Sequence, residues 1–233
     1  TLEPADWFRC SLNEDLKYDW FYDDKKSDYF DTWTGFTAQF TLQSRSTIGP
    51  YIAYGYRYYL QSVSSGRGDS SDQQIKPGIH LSQGLWSNAG LQADYAYMYA
   101  FEDSGLIARK EDSVDFNYTE ETFLFSGHQA ALELKQVFAD AWIFSAGAGL
   151  EERKYGGWAV LEADGSDSGK ERRDLRLPVF AALEYDWLPA DDAAAAVPAL
   201  RLNLSYAYLR QWSNDDWYDS NQHNVTLGLW LDW

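Results

Sequence analysis

Residues 224–233 read NVTLGLWLDW and show most clearly the pattern that recurs along this chain. Every second position of this stretch is apolar, and the positions between carry small or polar groups and one tryptophan. Successive side chains of a β-strand point to opposite faces of a sheet, so this period of two predicts a strand with one apolar face. The apolar positions are Val225, Leu227, Leu229, Leu231 and Trp233.

The same alternation recurs along the rest of the chain. It is plain in residues 200–208, which read LRLNLSYAY, and in residues 91–101, which read LQADYAYMYAF. No run of 18 or more apolar residues exists, which excludes membrane-spanning helices. The pattern predicts an all-β chain of about ten antiparallel strands, with 8 to 12 possible.

The connections between these strands alternate in length. Polar stretches are expected at residues 23–31, 62–72, 102–121, 156–172 and 213–220. Short turns are expected near residues 44–46, 86–88 and 138–140, with one longer exception at residues 189–198. Regular alternation of loop length is typical of an up-and-down meander, with the long loops at one end of the sheet.

Two kinds of closed sheet fit this layout. A soluble barrel of lipocalin type turns its apolar face inward, whereas a membrane barrel turns it to lipid and keeps charges in the lumen. The chain contains 17 Tyr, 12 Phe and 11 Trp, and the aromatic residues on the apolar faces cluster toward strand ends. Aromatic bands with aliphatic residues between them favour a transmembrane β-barrel.

Charged residues recur at the middle of the opposite faces. A soluble β-sandwich with a charged outer face is the alternative for any single strand. For the whole set we predict that these side chains face a lumen, where pairs such as Arg153 with Glu151 or Arg176 with Glu184 would bridge. The predicted lumen-facing residues are Asp19, Arg57, Lys76, His80, Asp94, Glu133, Lys135, Glu151, Arg153, Arg176, Glu184 and Arg201.

The end of the sequence resembles the carboxy-terminal insertion signal of Gram-negative outer-membrane β-barrel proteins. The residues that carry the resemblance are Thr226, Gly228, Leu231 and the final aromatic Trp233. The resemblance implies a place in the bacterial outer membrane, contact with its lipid and lipopolysaccharide, and recognition of this strand by the barrel-assembly machinery. No subfamily is indicated. We interpret residues 14–233 as the barrel and residues 1–13 as a periplasmic stub or plug.

Charge and architecture narrow the function. The chain has 19 Lys plus Arg against 36 Asp plus Glu, a formal net charge of −17, which excludes nucleic acid as a partner. A charged lumen predicts a narrow channel or transport-associated pore for small polar or charged solutes. The alternative is a structural or anchor barrel, plugged by internal salt bridges, within a larger envelope, secretion or export complex.

An outer-membrane enzyme is the least favoured function. Only His80, His128 and His223 offer a base that titrates near neutral pH, and only His80 falls on the polar face. We expect His80 to be a hydrogen-bond partner in the lumen, with no catalytic residues. No cofactor is expected, the sequence leaves open whether a metal is bound, and the single cysteine, Cys10, allows no internal disulfide.

Overall fold

The computed structural model of this chain describes residues 2–19, 29–59, 70–101, 125–139, 141–161, 167–187 and 199–232. These residues form strands, turns and one short 3₁₀-helix at Asp216–Tyr218. The strands are β1 (Leu2–Ala5), β2 (Phe8–Asp19), β3 (Tyr29–Thr41), β4 (Ser46–Tyr59), β5 (Ser70–Trp86), β6 (Ala89–Ala100), β7 (Gly127–Phe138), β8 (Trp142–Leu161), β9 (Asp167–Trp187), β10 (Ala199–Ser213) and β11 (Ser220–Asp232).

All eleven strands of the described residues belong to one sheet, in which spatial order follows chain order from β1 to β11. Every neighbouring pair is antiparallel. Ten strands are 12 to 21 residues long, whereas β1 has four. The prediction of an all-β, antiparallel, up-and-down fold with about ten strands is confirmed. Within the described ranges, no helix is long and apolar enough to cross a membrane.

Two stretches differ from their predicted structure. The segment interpreted as a stub or plug contains β1 and the first half of β2, because the apolar alternation of Phe8, Cys10 and Leu12 continues into the strand. The polar stretch at residues 156–172 lies largely in β8 and β9, whose pairing continues through Tyr155↔Arg172 with two irregularities beyond it. Its glycines and acidic residues predicted a loop, but strand pairing takes precedence over local composition.

The strand register gives the sheet one charged face. Residues directly opposite each other on antiparallel strands share a face, and one such row crosses four strands as Lys17↔Asp31↔Arg57↔Asp72. Charge alternates in sign along this row. Followed across the sheet, the register places all twelve predicted lumen-facing residues on this same face, here called the polar face.

Burial on the two faces is the reverse of that in a water-soluble sheet. On the polar face, Asp72, Arg172 and Asp174 are only 2%, 4% and 2% exposed. On the opposite, apolar face, Leu132 of β7 is 51% exposed and Leu204 of β10 is 52% exposed. Charged residues are almost never buried unless they are paired. Their burial here indicates that other parts of the same sheet cover the polar face.

A contact between distant strands shows how the polar face is buried. Trp33 on β3 packs against a cluster of Met98, Phe125 and Tyr155, and Tyr155 lies on β8. Five strand spacings separate β3 from β8, which would place them about 24 Å apart in a flat sheet. The sheet therefore curls with its polar face on the concave side. Strand β11 at one end of the sheet, and β2 beside the short β1 at the other end, are mostly exposed on both faces.

Candidate functional site: the concave polar face

The concave face carries a layer of large side chains toward the long connections. Trp33, Met98, Phe125 and Tyr155 form this layer, here called the aromatic layer. Gly55, opposite Trp33 on β4, leaves room for the indole, because a Cβ there would lie 2.8 Å from two of its ring carbons. The aromatic layer thus depends on a glycine of the neighbouring strand.

Arginine side chains stack on the aromatic layer. The guanidinium carbon of Arg153 lies 4.2 Å from the ring centre of Phe125. That of Arg172 lies between two rings, 4.3 Å from the centre of Tyr155 and 3.3 Å from that of Tyr218. Positive charge is attracted to the face of an aromatic ring, which stabilises these cations away from water.

Arg172 is also held by a carboxylate. Its Nε and Nη2 donate to Asp174 at 3.1 Å and 2.5 Å, and the two side chains are 5% and 0% exposed. Asp174 accepts further hydrogen bonds from Ser213 Oγ at 2.6 Å and Gln211 Nε2 at 3.0 Å. This bidentate pair is fully enclosed. Sequence reasoning missed Arg172 because it assigned this residue to a loop.

Below the aromatic layer lies a cavity of about 410 Å³, lined by residues of β4 to β9. Glu151 is the most heavily paired group in it. Its carboxylate accepts from Gln129 Nε2 at 2.5 Å and Arg153 Nη2 at 3.0 Å, with Arg176 Nη1 at 3.4 Å. Two cations and an amide therefore stabilise this carboxylate where it is only 14% exposed.

A second carboxylate, Asp94, lines the same cavity. Its Oδ1 lies 2.6 Å from Nδ1 of His80, and its Oδ2 accepts from Gln92 Nε2 at 3.0 Å. His80 is thus a hydrogen-bond partner on the polar face, the role expected from the sequence. Lys76 and Tyr51 also line the cavity.

The structure brings some of the predicted lumen-facing residues together and leaves others apart. Five of them surround the cavity or its carboxylates, namely Lys76, Asp94, Glu151, Arg153 and Arg176, with His80 attached through Asp94. The expected Arg153–Glu151 pair is present. Arg176, however, pairs with Glu151 rather than Glu184, because eight residues of extended strand separate Arg176 from Glu184, about 26 Å.

The remaining predicted residues lie toward either end of the sheet. Arg57 pairs with Asp31 at 3.0 Å near the long connections, and both are nearly buried. Arg201 pairs with Asp186 at 2.7 Å near the short turns and is 52% exposed. Glu133, Lys135 and Glu184 lie on the polar face of β7 and β9 at the same end. Asp19 closes β2, and its side chain lies outside the described residues.

The two other histidines lie on the apolar face. Nδ1 of His128 lies 2.8 Å from the Tyr95 hydroxyl, and Nδ1 of His223 lies 2.8 Å from the Tyr206 hydroxyl. The sequence pattern placed both histidines on this face. Among the described residues, no group of three or more His, Cys, Asp or Glu is arranged to hold a metal ion.

The residues that resemble an insertion signal fall in and beyond β11. Thr226 and Gly228 are on its polar-face side, and the ring of Trp230 lies over Gly228. Leu231 belongs to β11, but its side chain, like all of Trp233, lies outside the described residues.

Comparison with protein-family models, with curated proteins and with solved structures finds no match to this chain.

Proposed function

We propose that this chain is an outer-membrane β-barrel that forms a narrow channel for small polar or charged solutes. The observation that carries the proposal is the reversed burial of the two faces, with Asp72 and Asp174 enclosed while Leu132 and Leu204 are exposed. Water would favour the opposite arrangement, whereas a bilayer stabilises an apolar outer face around a polar interior. In this proposal, outer-membrane lipid and lipopolysaccharide contact the apolar face.

Closure of the sheet into a barrel is part of the proposal. The strands from β2 to β11 are ten in number, so the first and last run in opposite directions. Because β1 already pairs with Phe8 and Cys10 of β2, the 13-residue strand β11 would pair with the remaining edge of β2, residues 11–19. Pairing would remove the exposed strand edges, which a closed barrel needs in lipid. We propose β11 as the strand that the barrel-assembly machinery recognises.

The solute path is proposed to run along the polar face, through the cavity beside Glu151 and past the aromatic layer. The cavity supplies polar walls of both charge signs, as a path for hydrophilic solutes requires. The aromatic layer would then be the constriction that limits solute size.

A structural barrel is the second candidate, and one specific observation favours it. The Arg172–Asp174 pair and the stacked rings around it pack the concave face tightly near the long connections. A barrel filled in this way would serve as an anchor or as one part of a larger envelope or export complex. The two candidates differ in whether ions pass the aromatic layer.

Single-channel conductance in a planar lipid bilayer tests the proposal. We expect small, stable steps from the refolded full chain and larger steps from the double variant Phe125→Ala, Tyr155→Ala, in which the constriction is truncated. The matched control is Tyr99→Ala, which removes an exposed ring from the apolar face and should leave the size of the conductance steps unchanged. Heat-dependent gel mobility establishes that each protein is folded. Folded proteins without conductance in either form would overturn the channel and favour the structural barrel.

A further inference from the structure

We propose that the cavity below the aromatic layer is a binding site for a small organic solute that carries one carboxylate, held by the Lys76 ammonium and the Tyr51 hydroxyl. This inference deepens the proposed function, on which its role in transport rests, by naming the solute class.

The two carboxylates of the cavity already have hydrogen-bond or ion-pair partners. Glu151 is bound by Gln129, Arg153 and Arg176, and Asp94 is bound by His80 and Gln92. Two arginines offset the charge of Glu151, and donors from the wall already bind both carboxylates. The remaining polar groups of the wall are therefore the ones free to select a solute.

Two hydrogen-bond donors, the Lys76 ammonium and the Tyr51 hydroxyl, also belong to the cavity wall. Among the described residues, neither Lys76 Nζ nor the Tyr51 hydroxyl takes part in a hydrogen bond or an ion pair, although both line the cavity. Both side chains are half-buried, and neither donor atom is one of the enclosed polar atoms without a partner, so each faces the open space of the cavity. Both groups can donate hydrogen bonds, so a solute that binds the two together has to supply acceptor oxygens.

The strand register makes Tyr51 and Lys76 diagonal neighbours on the polar face. Tyr51 is opposite Gly78 on β5, and Lys76 is two residues away on the same face of that strand. The Tyr51 ring lies directly over Gly78, where any Cβ would collide with the ring. Diagonal neighbours of this kind lie about 7 to 8 Å apart between their backbones, which brings two long side chains within reach of one anionic group.

Charge and size limit the solute. One ammonium and one neutral donor match a single negative charge, whereas a second would be repelled by Asp94 and Glu151 in the same wall. A volume of about 410 Å³ lies within the range of small-molecule sites. A polar monocarboxylate meets both limits, and the paired carboxylates and amide of the wall offer hydrogen-bond acceptors and donors to its hydroxyl groups.

The test uses the folded full chain in a non-ionic detergent, with its lysines reductively methylated with isotope-labelled formaldehyde, which preserves their charge. Lys76→Gln assigns the Lys76 signal in the NMR spectrum. We expect gluconate to shift this signal saturably, and sorbitol, the uncharged alcohol of the same chain length, to leave it unmoved. Lys135, on the polar face near the short turns, is the control and should not respond to gluconate.

A second variant tests the hydroxyl. Tyr51→Phe retains the ring over Gly78 but removes one donor, so gluconate affinity should fall about tenfold. The proposal is overturned if gluconate does not shift the Lys76 signal, if sodium chloride shifts it equally, or if Tyr51→Phe binds gluconate as tightly as the unaltered chain.

The outcome separates this inference from the channel. A saturable Lys76 shift in a protein that conducts no ions would leave the site in place and overturn the channel. Conductance from a protein whose Lys76 signal ignores gluconate would leave the channel and overturn the carboxylate site.

Discussion

The hydroxyl of Tyr206 lies 2.8 Å from Nδ1 of His223 on the exposed apolar face of the sheet. Tyr95 and His128 repeat this arrangement at the same distance on β6 and β7. In each case a further tyrosine, Tyr208 or Tyr97, packs against the same imidazole with ring centres 4.9 Å apart. Both groups lie on the outer surface. Rings that join an apolar body to polar atoms suit the boundary between lipid and water.

A lysine on the apolar face tests whether that face contacts lipid. Leu204 is 52% exposed at the middle of β10, and its neighbour Ser205 lies on the polar face. We expect Leu204→Lys to lower the free energy of unfolding in lipid vesicles by about 2 to 4 kcal/mol, because a charge would enter the bilayer. Urea titration of vesicle-inserted protein measures it.

Ser205→Lys is the matched control for this experiment. The same lysine one position away faces the concave side, where polar groups and water accept it, so its cost should be well below that of Leu204→Lys. Equal effects of the two substitutions would contradict a lipid-facing apolar surface.

The enclosed Arg172–Asp174 pair predicts a large loss of stability when it is broken. Asp174→Ala leaves the guanidinium buried without its carboxylate, and we expect the free energy of unfolding to fall by about 3 to 5 kcal/mol. The control is Asp219→Ala, which removes the partner of Arg210 in a more exposed ion pair and should cost about 1 kcal/mol or less. Similar losses from both variants in urea-unfolding curves would show that the Arg172–Asp174 pair is not enclosed.

A contact between Gly55 and Trp33 gives a prediction about packing. Gly55→Val places carbon atoms against the indole, and such overpacking costs about 1 to 3 kcal/mol. Trp33→Leu in the same chain should recover part of this loss, since the smaller side chain frees the space. Gly156, where a Cβ would have no atom within 4 Å, is the control, and Gly156→Val should unfold at nearly the same urea concentration as the unaltered chain. Additive effects of Gly55→Val and Trp33→Leu would contradict the contact.

The sequence was sufficient to assign faces and the Arg153–Glu151 pair within one strand, but not the pairs between strands. A period of two places residues such as Lys76 and Arg201 on one face whatever the register, and the structure agrees for all twelve predicted positions. Pairing depends on register and on strand length instead. Arg176 therefore meets Glu151 on the next strand rather than Glu184 on its own.

The sequence pattern also did not predict that the sheet is curled. Alternation is the same in a flat and in a curled sheet, so nothing in the local sequence of Trp33 indicates that it packs against a cluster containing Tyr155 five strands away. The glycine-rich and acidic composition of residues 156–172 predicted a loop, so the position of Arg172 in a paired strand was not predicted. Both the contact of Trp33 and the strand position of Arg172 depend on residues far apart in the sequence, which local composition does not determine.

Amide hydrogen exchange along β11 tests closure of the sheet. In the described residues β11 is bonded to β10, and an edge strand leaves every second amide without a partner. Closure onto β2 would protect the amides of residues 221–231 without alternation, as in β6, which has bonded neighbours on both sides. NMR of the folded chain in detergent measures the exchange rates, with β6 as the internal control. Alternating fast and slow exchange along β11, beside uniform protection of β6, would show that the sheet is open and would contradict the proposed barrel.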